Sequence, residues 1–93
     1  MAKVPSDVLK ALGERVREVR MERGLSQEQV GERADLHRNE VGVIERGETN
    51  ISFVNLLRIC RALEVTPSEL LKPFIASWLQ HLPSKRPFRH REK

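Results

Sequence analysis

Apolar residues recur at helical spacing from near the start of the chain to about residue 82, and no stretch alternates apolar with polar in the period-two manner of a strand. Val8, Leu12, Val16 and Val19 mark the inner stripe of a first helix, over about 6–23. Ser6 offers a capping hydroxyl, Asp7 complements the positive end of the helix dipole, and Gly24 stops the helix. Ser26-Gln27-Glu28-Gln29 is a capping box that opens a short second helix, about 27–34, with Val30 and Ala34 turned inward. A third helix follows Asp35-Leu36-His37, over about 38–46, and stops at Gly47. Ser52 caps a fourth helix that runs to about residue 63 and is apolar at Phe53, Leu56, Leu57, Ile59, Cys60 and Leu63. Thr66-Pro67-Ser68-Glu69 starts a fifth, with both a capping box and a proline where a missing N–H is harmless. Pro73 sets off a last amphipathic stretch, residues 74–82, with Phe74, Ile75, Trp78, Leu79 and Leu82 on one side. Beyond Leu82 the apolar period ends.

The fold class is therefore all-α: a five-helix bundle with a sixth helix at its C-terminal end. Residues 1–72 make one domain, 73–82 an added amphipathic helix, and 83–93 a basic tail that reads as disordered. A chain of 93 residues is one domain. With 4% aromatic residues, its core rests on Leu, Val, Ile and Ala. The lone Cys60 excludes an intramolecular disulfide and fits a reducing compartment. His37, His81 and His90 are scattered, without a Cys or His at ligand spacing, so no metal is expected. No apolar run approaches the ~20 residues of a membrane span, and residues 1–6 lack a signal-peptide core. The expectation is a cytoplasmic protein without cofactor or membrane partner.

Charge changes the picture less than its total suggests. Positive and negative side chains cancel over residues 1–82. The net +4 resides in the tail, where Lys85, Arg86, Arg89, Arg91 and Lys93 stand against Glu92. A nucleic-acid surface in the folded part must then be a local face, not a global positive field.

The informative stretch is 24–47. Two short helices joined this tightly, each with its own cap, cross at a steep angle, which is the helix-turn-helix arrangement (about 26–46) that lays its second helix in the major groove of DNA. On the third helix Val41 and Ile44 point to the core, while Asn39, Gly42, Val43 and Arg46 form the opposite face and Arg38 its N-terminal edge. A glycine inside a helix costs ~1 kcal/mol relative to alanine, and an exposed valine gains nothing from water. Both fit a face pressed on something flat: Gly42 permits a close approach, and Val43 can touch a thymine methyl. Arg38 suits paired hydrogen bonds to guanine, and Asn39 to adenine.

The run GLSQEQVGERADLHRNEVGVIERGETNISFVNLLRICRALEVTPSELL resembles the helix-turn-helix domain of the XRE family, the relatives of lambda Cro and cI repressor, over about residues 9–71. The elements that carry the likeness are Gly24-Leu25-Ser26-Gln27, Ile44-Glu45-Arg46-Gly47 and Val65-Thr66-Pro67-Ser68-Glu69-Leu70-Leu71. The resemblance implies a lambda-repressor-like bundle that binds double-stranded DNA. It implies base-reading positions at Arg38, Asn39 and Val43. It also implies backbone contacts from Gln27, Arg46, Thr49 and Asn50, and a structural salt bridge between Arg20 and Glu45. Three positions depart from the family pattern: Asp35 stands where a turn glycine is common, His37 where Ser or Thr usually caps, and Ile51 where proline is common. The expected consequence at His37 is a less well capped third helix.

The functional expectation is a transcriptional regulator, not an enzyme, working as a homodimer on a near-palindromic operator. Phe74, Ile75, Trp78, Leu79 and Leu82 form either a dimer seam or a flap that closes the core. Two alternatives stand beside it: an antitoxin that binds DNA and a toxin, and an interaction module that has lost DNA binding.

Overall fold

A computed structural model describes residues 6–80 and 82. The basic tail over 83–93, His81, His90, the N-terminal residues before Ser6 and the proposed capping side chain of Ser6 lie outside what is described. Six helices follow one another: α1 (Ser6–Glu22), α2 (Gln27–Ala34), α3 (Arg38–Glu45), α4 (Phe53–Leu63), α5 (Pro67–Leu70) and α6 (Ala76–Gln80). The described residues contain no strand.

Local chemistry starts and stops these helices. At α2 the Gln29 N–H donates to Ser26 Oγ at 3.0 Å, and the Ser26 N–H donates back to Gln29 Oε1 at 2.8 Å. Ser52 Oγ and Thr66 Oγ1 accept from Asn55 N and Glu69 N at the starts of α4 and α5. The first four helices close with one device. The chain turns through the left-handed region just past the helix, and the next N–H reaches back to an orphan carbonyl. Gly24 and Gly47 take that conformation without a Cβ penalty, whereas Asp35 and Glu64 take it as L-residues at φ 61° and 59°. Leu36 N then donates to Gly31 O at 2.8 Å, Glu48 N to Val43 O at 3.0 Å and Val65 N to Cys60 O at 3.0 Å.

The core sits where α2 packs on both α3 and α4, with α1 closing it against α3 and α5. Val16, Val30, Val41, Ile59, Leu63 and Leu70 are fully buried in it. The α1 stripe is shorter than periodicity suggested. Val16 and Val19 are buried and Leu12 packs against them, but Val8 is only half-buried. Cys60 is core, 3% exposed, and burial pushes its thiol above the ordinary range, which makes it an inert apolar side chain. Arg15 of α1 and Arg23 just past its end reach across to cap other helices. Arg15 donates from Nε to Leu70 O and from Nη2 to Glu69 O, both at 2.8 Å, and Arg23 Nε donates to Leu63 O at 2.8 Å. The C-terminal stretch differs most from expectation. Helix α6 spans five residues, not the nine of 74–82, and buries none of them.

Candidate nucleic-acid interface

Helix α3 has two unlike ends. At its C-terminal end the Glu45 carboxylate is 3% exposed and receives three hydrogen bonds. Arg20 Nε donates to Oε2 at 2.6 Å and Nη2 to Oε1 at 3.1 Å, while Gln27 Nε2 donates to Oε1 at 3.0 Å. Arg20 Nη1 is satisfied separately by Leu25 O at 2.8 Å. The Arg20–Glu45 pair thus joins α1 to α3, and Gln27 joins the start of α2 to the same carboxylate. Backbone packs directly under it. A Cβ on Gly13 would come 2.5 Å from Ile44 O, and one on Gly47 would come 2.7 Å from Lys10 Cα, so α1 crosses the end of α3 at bare-backbone distance.

At the N-terminal end the backbone of α3 rests against α2 at Gly31, and the side chains of residues 37–40 are exposed. His37 Nδ1 accepts from Asn39 N at 3.0 Å, and Glu40 Oε1 accepts from His37 N at 3.0 Å. This corrects the expectation of a weak cap. An imidazole whose Nδ1 is unprotonated serves the role of a Ser or Thr hydroxyl, and Glu40 completes the box. Its signal was in the sequence, since Glu40 sits three residues after His37. Asp35, in place of glycine, does hold the left-handed turn. Arg38 and Asn39 project exposed from this end, with Arg38 Nη1 3.9 Å from Glu28 Oε2. Both partners of that pair are more than 60% exposed, so it contributes little energy.

Arg38 apart, the candidate DNA-contacting residues fall into two groups. Asn39, Val43, Thr49 and Asn50 line one cleft of about 380 Å³ between α3 and the loop into α4, together with Ile51 and Asn55, which sequence reasoning had not selected. Gln27, Gly42 and Arg46 form the second group. Here the structure changes the reading of Gly42, which is buried and not an open outer surface. A Cβ on it would lie 3.1 Å from Arg46 Nη1 and 3.4 Å from Gln27 Oε1, because α2 starts directly over this turn of α3. Arg46 itself is exposed and donates from Nε to Glu48 Oε1 at 3.1 Å. Among the described residues no cluster of His, Cys, Asp or Glu could hold a metal ion.

The apolar seam residues split. Phe74 and Trp78 are half-buried against one another, ring centroids 5.2 Å apart and tilted by 53°, while Ile75, Leu79 and Leu82 are exposed. A second apolar surface was missed. Phe53 at 68% and Val54 at 57% stand exposed on α4, with Leu57 one turn on. The sequence marks Phe53 and Leu57 as apolar without assigning them a face.

Comparison with known proteins places these features. A family model described as helix-turn-helix matches residues 16–70. Control protein C.BamHI of Bacillus amyloliquefaciens is 42% identical over 60 residues, which cover 63% of this chain and 74% of that protein. Control protein C.SmaI of Serratia marcescens is 38% identical over 65 residues, 70% of this chain and 77% of its own. Among solved structures, the restriction-modification controller protein C.AhdI from Aeromonas hydrophila superposes with a TM-score of 0.68 at 43% identity, over 70% of this chain and 94% of that one. The controller C.Esp1396I gives 0.71 at 27% identity, over 81% and 97%. No described helix is long and apolar enough to cross a membrane.

Proposed function

The chain belongs to the XRE-type helix-turn-helix family, and on that premise we propose that it is a transcriptional regulator that binds double-stranded DNA sequence-specifically, as a homodimer on a near-palindromic operator. One observation carries the reading: α3 is fixed at one end by a buried carboxylate that accepts three hydrogen bonds, and it offers Arg38 and Asn39 exposed at the other. A helix held this way can enter the major groove without bending or rotating, so its base contacts are preorganised. Arg38 then reads guanine, Asn39 reads adenine and Val43 meets a thymine methyl. Gln27, Arg46, Thr49 and Asn50 approach the sugar-phosphate backbone, and they position the helix without reading sequence.

The likeness to restriction–modification controllers favours this over the antitoxin and interaction-module readings, and it points to an operator beside a restriction enzyme or methyltransferase gene. The protein would act in the cytoplasm, and it would have no catalytic role. For the dimer, the exposed α4 surface of Phe53, Val54 and Leu57 competes with the C-terminal stripe of Ile75, Trp78 and Leu79 as the seam. Sedimentation of Val54→Glu and Trp78→Glu variants separates the two, since only the variant in the true seam becomes monomeric.

Selection of bound duplexes from random-sequence DNA tests the function. The expected product is a two-fold related pair of half-sites with centres about one helical turn, ~34 Å, apart. Recovery of unrelated sequences, or of single half-sites only, would sink the reading.

A further inference from the structure

We propose that Gly42 is a positioning residue. Its missing side chain is the seat on which Gln27 and Arg46 lie together, and these two side chains, not Gly42 itself, meet the DNA. The inference rests on the DNA-binding reading above and deepens it.

Three observations converge on this position. A glycine in the middle of an eight-residue helix weakens that helix relative to alanine, so some other gain must hold it there. The bare turn is covered by protein, so it is no open surface for a groove wall. The space a Cβ would occupy is bounded by Arg46 Nη1 at 3.1 Å and Gln27 Oε1 at 3.4 Å. Gln27 is stretched across that turn because its Nε2 must reach Glu45 Oε1 at 3.0 Å on the far side. The amide is therefore pinned at one atom by the buried carboxylate, with its oxygen over Gly42. Arg46 is held only at the guanidinium by the exposed Glu48, so it is the partner free to yield. A methyl at residue 42 leaves the backbone of α3 undisturbed and pushes the end of Arg46 off this seat, with a smaller displacement of Gln27.

The consequence is a separation of stability from binding. Gly42→Ala improves the helix and raises the melting temperature, while it lowers affinity for a duplex selected by the unaltered protein by about tenfold, the scale of one lost charged hydrogen bond. The log–log salt dependence of affinity becomes shallower by roughly one unit, as expected when an arginine leaves a phosphate. Base preference at the positions read by Arg38 and Asn39 stays as it was.

A thermodynamic cycle tests the idea. Melting temperature and duplex affinity are measured for Gly42→Ala alone, for Gln27→Ala/Arg46→Ala, and for the triple variant. The inference requires Gly42→Ala to cost affinity in the natural background and to cost nothing once Gln27 and Arg46 are gone. If the tenfold loss persists in the triple variant, the methyl strikes DNA directly and the positioning role is overturned. It is also overturned if Gly42→Ala keeps full affinity, or if it lowers the melting temperature. Failure of the unaltered protein to select any duplex is a different result: it removes the DNA-binding reading itself, and this inference with it.

Discussion

The two ends of α3 solve opposite problems with the same eight residues. At the C-terminal end the Glu45 side of the helix is internal, although Arg46 beside it is exposed. Glu45 is buried with its pairing complete, and Gly13 and Gly47 let α1 press backbone against backbone. At the N-terminal end a capping box, His37 with Glu40, and the backbone of α2 at Gly31 order the helix start, and Arg38 and Asn39 face outward. A reading helix must be immobile without being occupied, and placing the anchor and the reader a full helix length apart achieves both. The anchored end should govern stability and the free end specificity.

The largest effect is expected from breaking the anchor. Arg20→Ala leaves the Glu45 carboxylate buried with only Gln27 as donor, and should cost roughly 3–5 kcal/mol of folding stability in chemical denaturation. For a domain of this size that is a large share of the total, and DNA binding should disappear with the fold. Gly13→Ala comes next. Its methyl meets the carbonyls of Ile44 and Glu45, which are backbone and cannot swing aside, so about 2–3 kcal/mol should be lost as α1 is driven off α3. At the other end the numbers fall. His37→Ala removes one cap acceptor and should cost about 1 kcal/mol, while His37→Ser should restore it. If His37→Ala proved as damaging as Arg20→Ala, the division between a structural and a presenting end would be wrong.

The anchored end was only partly legible in the sequence. The caps of α2 and α5, and the reversals at Gly24 and Gly47, are local chemistry, so Ser26, Thr66-Pro67 and the two glycines announce them. Arg20 and Glu45 came through family likeness, since no periodicity rule pairs residues that far apart. The Gly13 crossing, the Arg15 and Arg23 caps on distant carbonyls and the burial of Gly42 depend on where helices cross, which hydropathy does not encode. Gly13 did leave a trace, because a glycine inside a long helix signals close backbone approach as much as Gly42 did. At the free end the reading failed differently. A histidine reads as a poor cap because hydroxyls are usual there, although any acceptor at that distance serves. The exposure of Phe53, Val54 and Leu57 was not legible, because apolar residues occupy both faces of the first turns of α4 and only Leu56 among them enters the core.

The most direct test of the central claim concerns Arg38. Base preference is measured at every position of a selected operator for the unaltered protein and for Arg38→Ala, at one fixed salt concentration. The account predicts that preference relaxes at one position in each half-site, with a penalty there of about 1–3 kcal/mol removed, while all other positions and the melting temperature hold. An unchanged preference at every position, or a uniform loss of affinity that leaves the pattern intact, would contradict it.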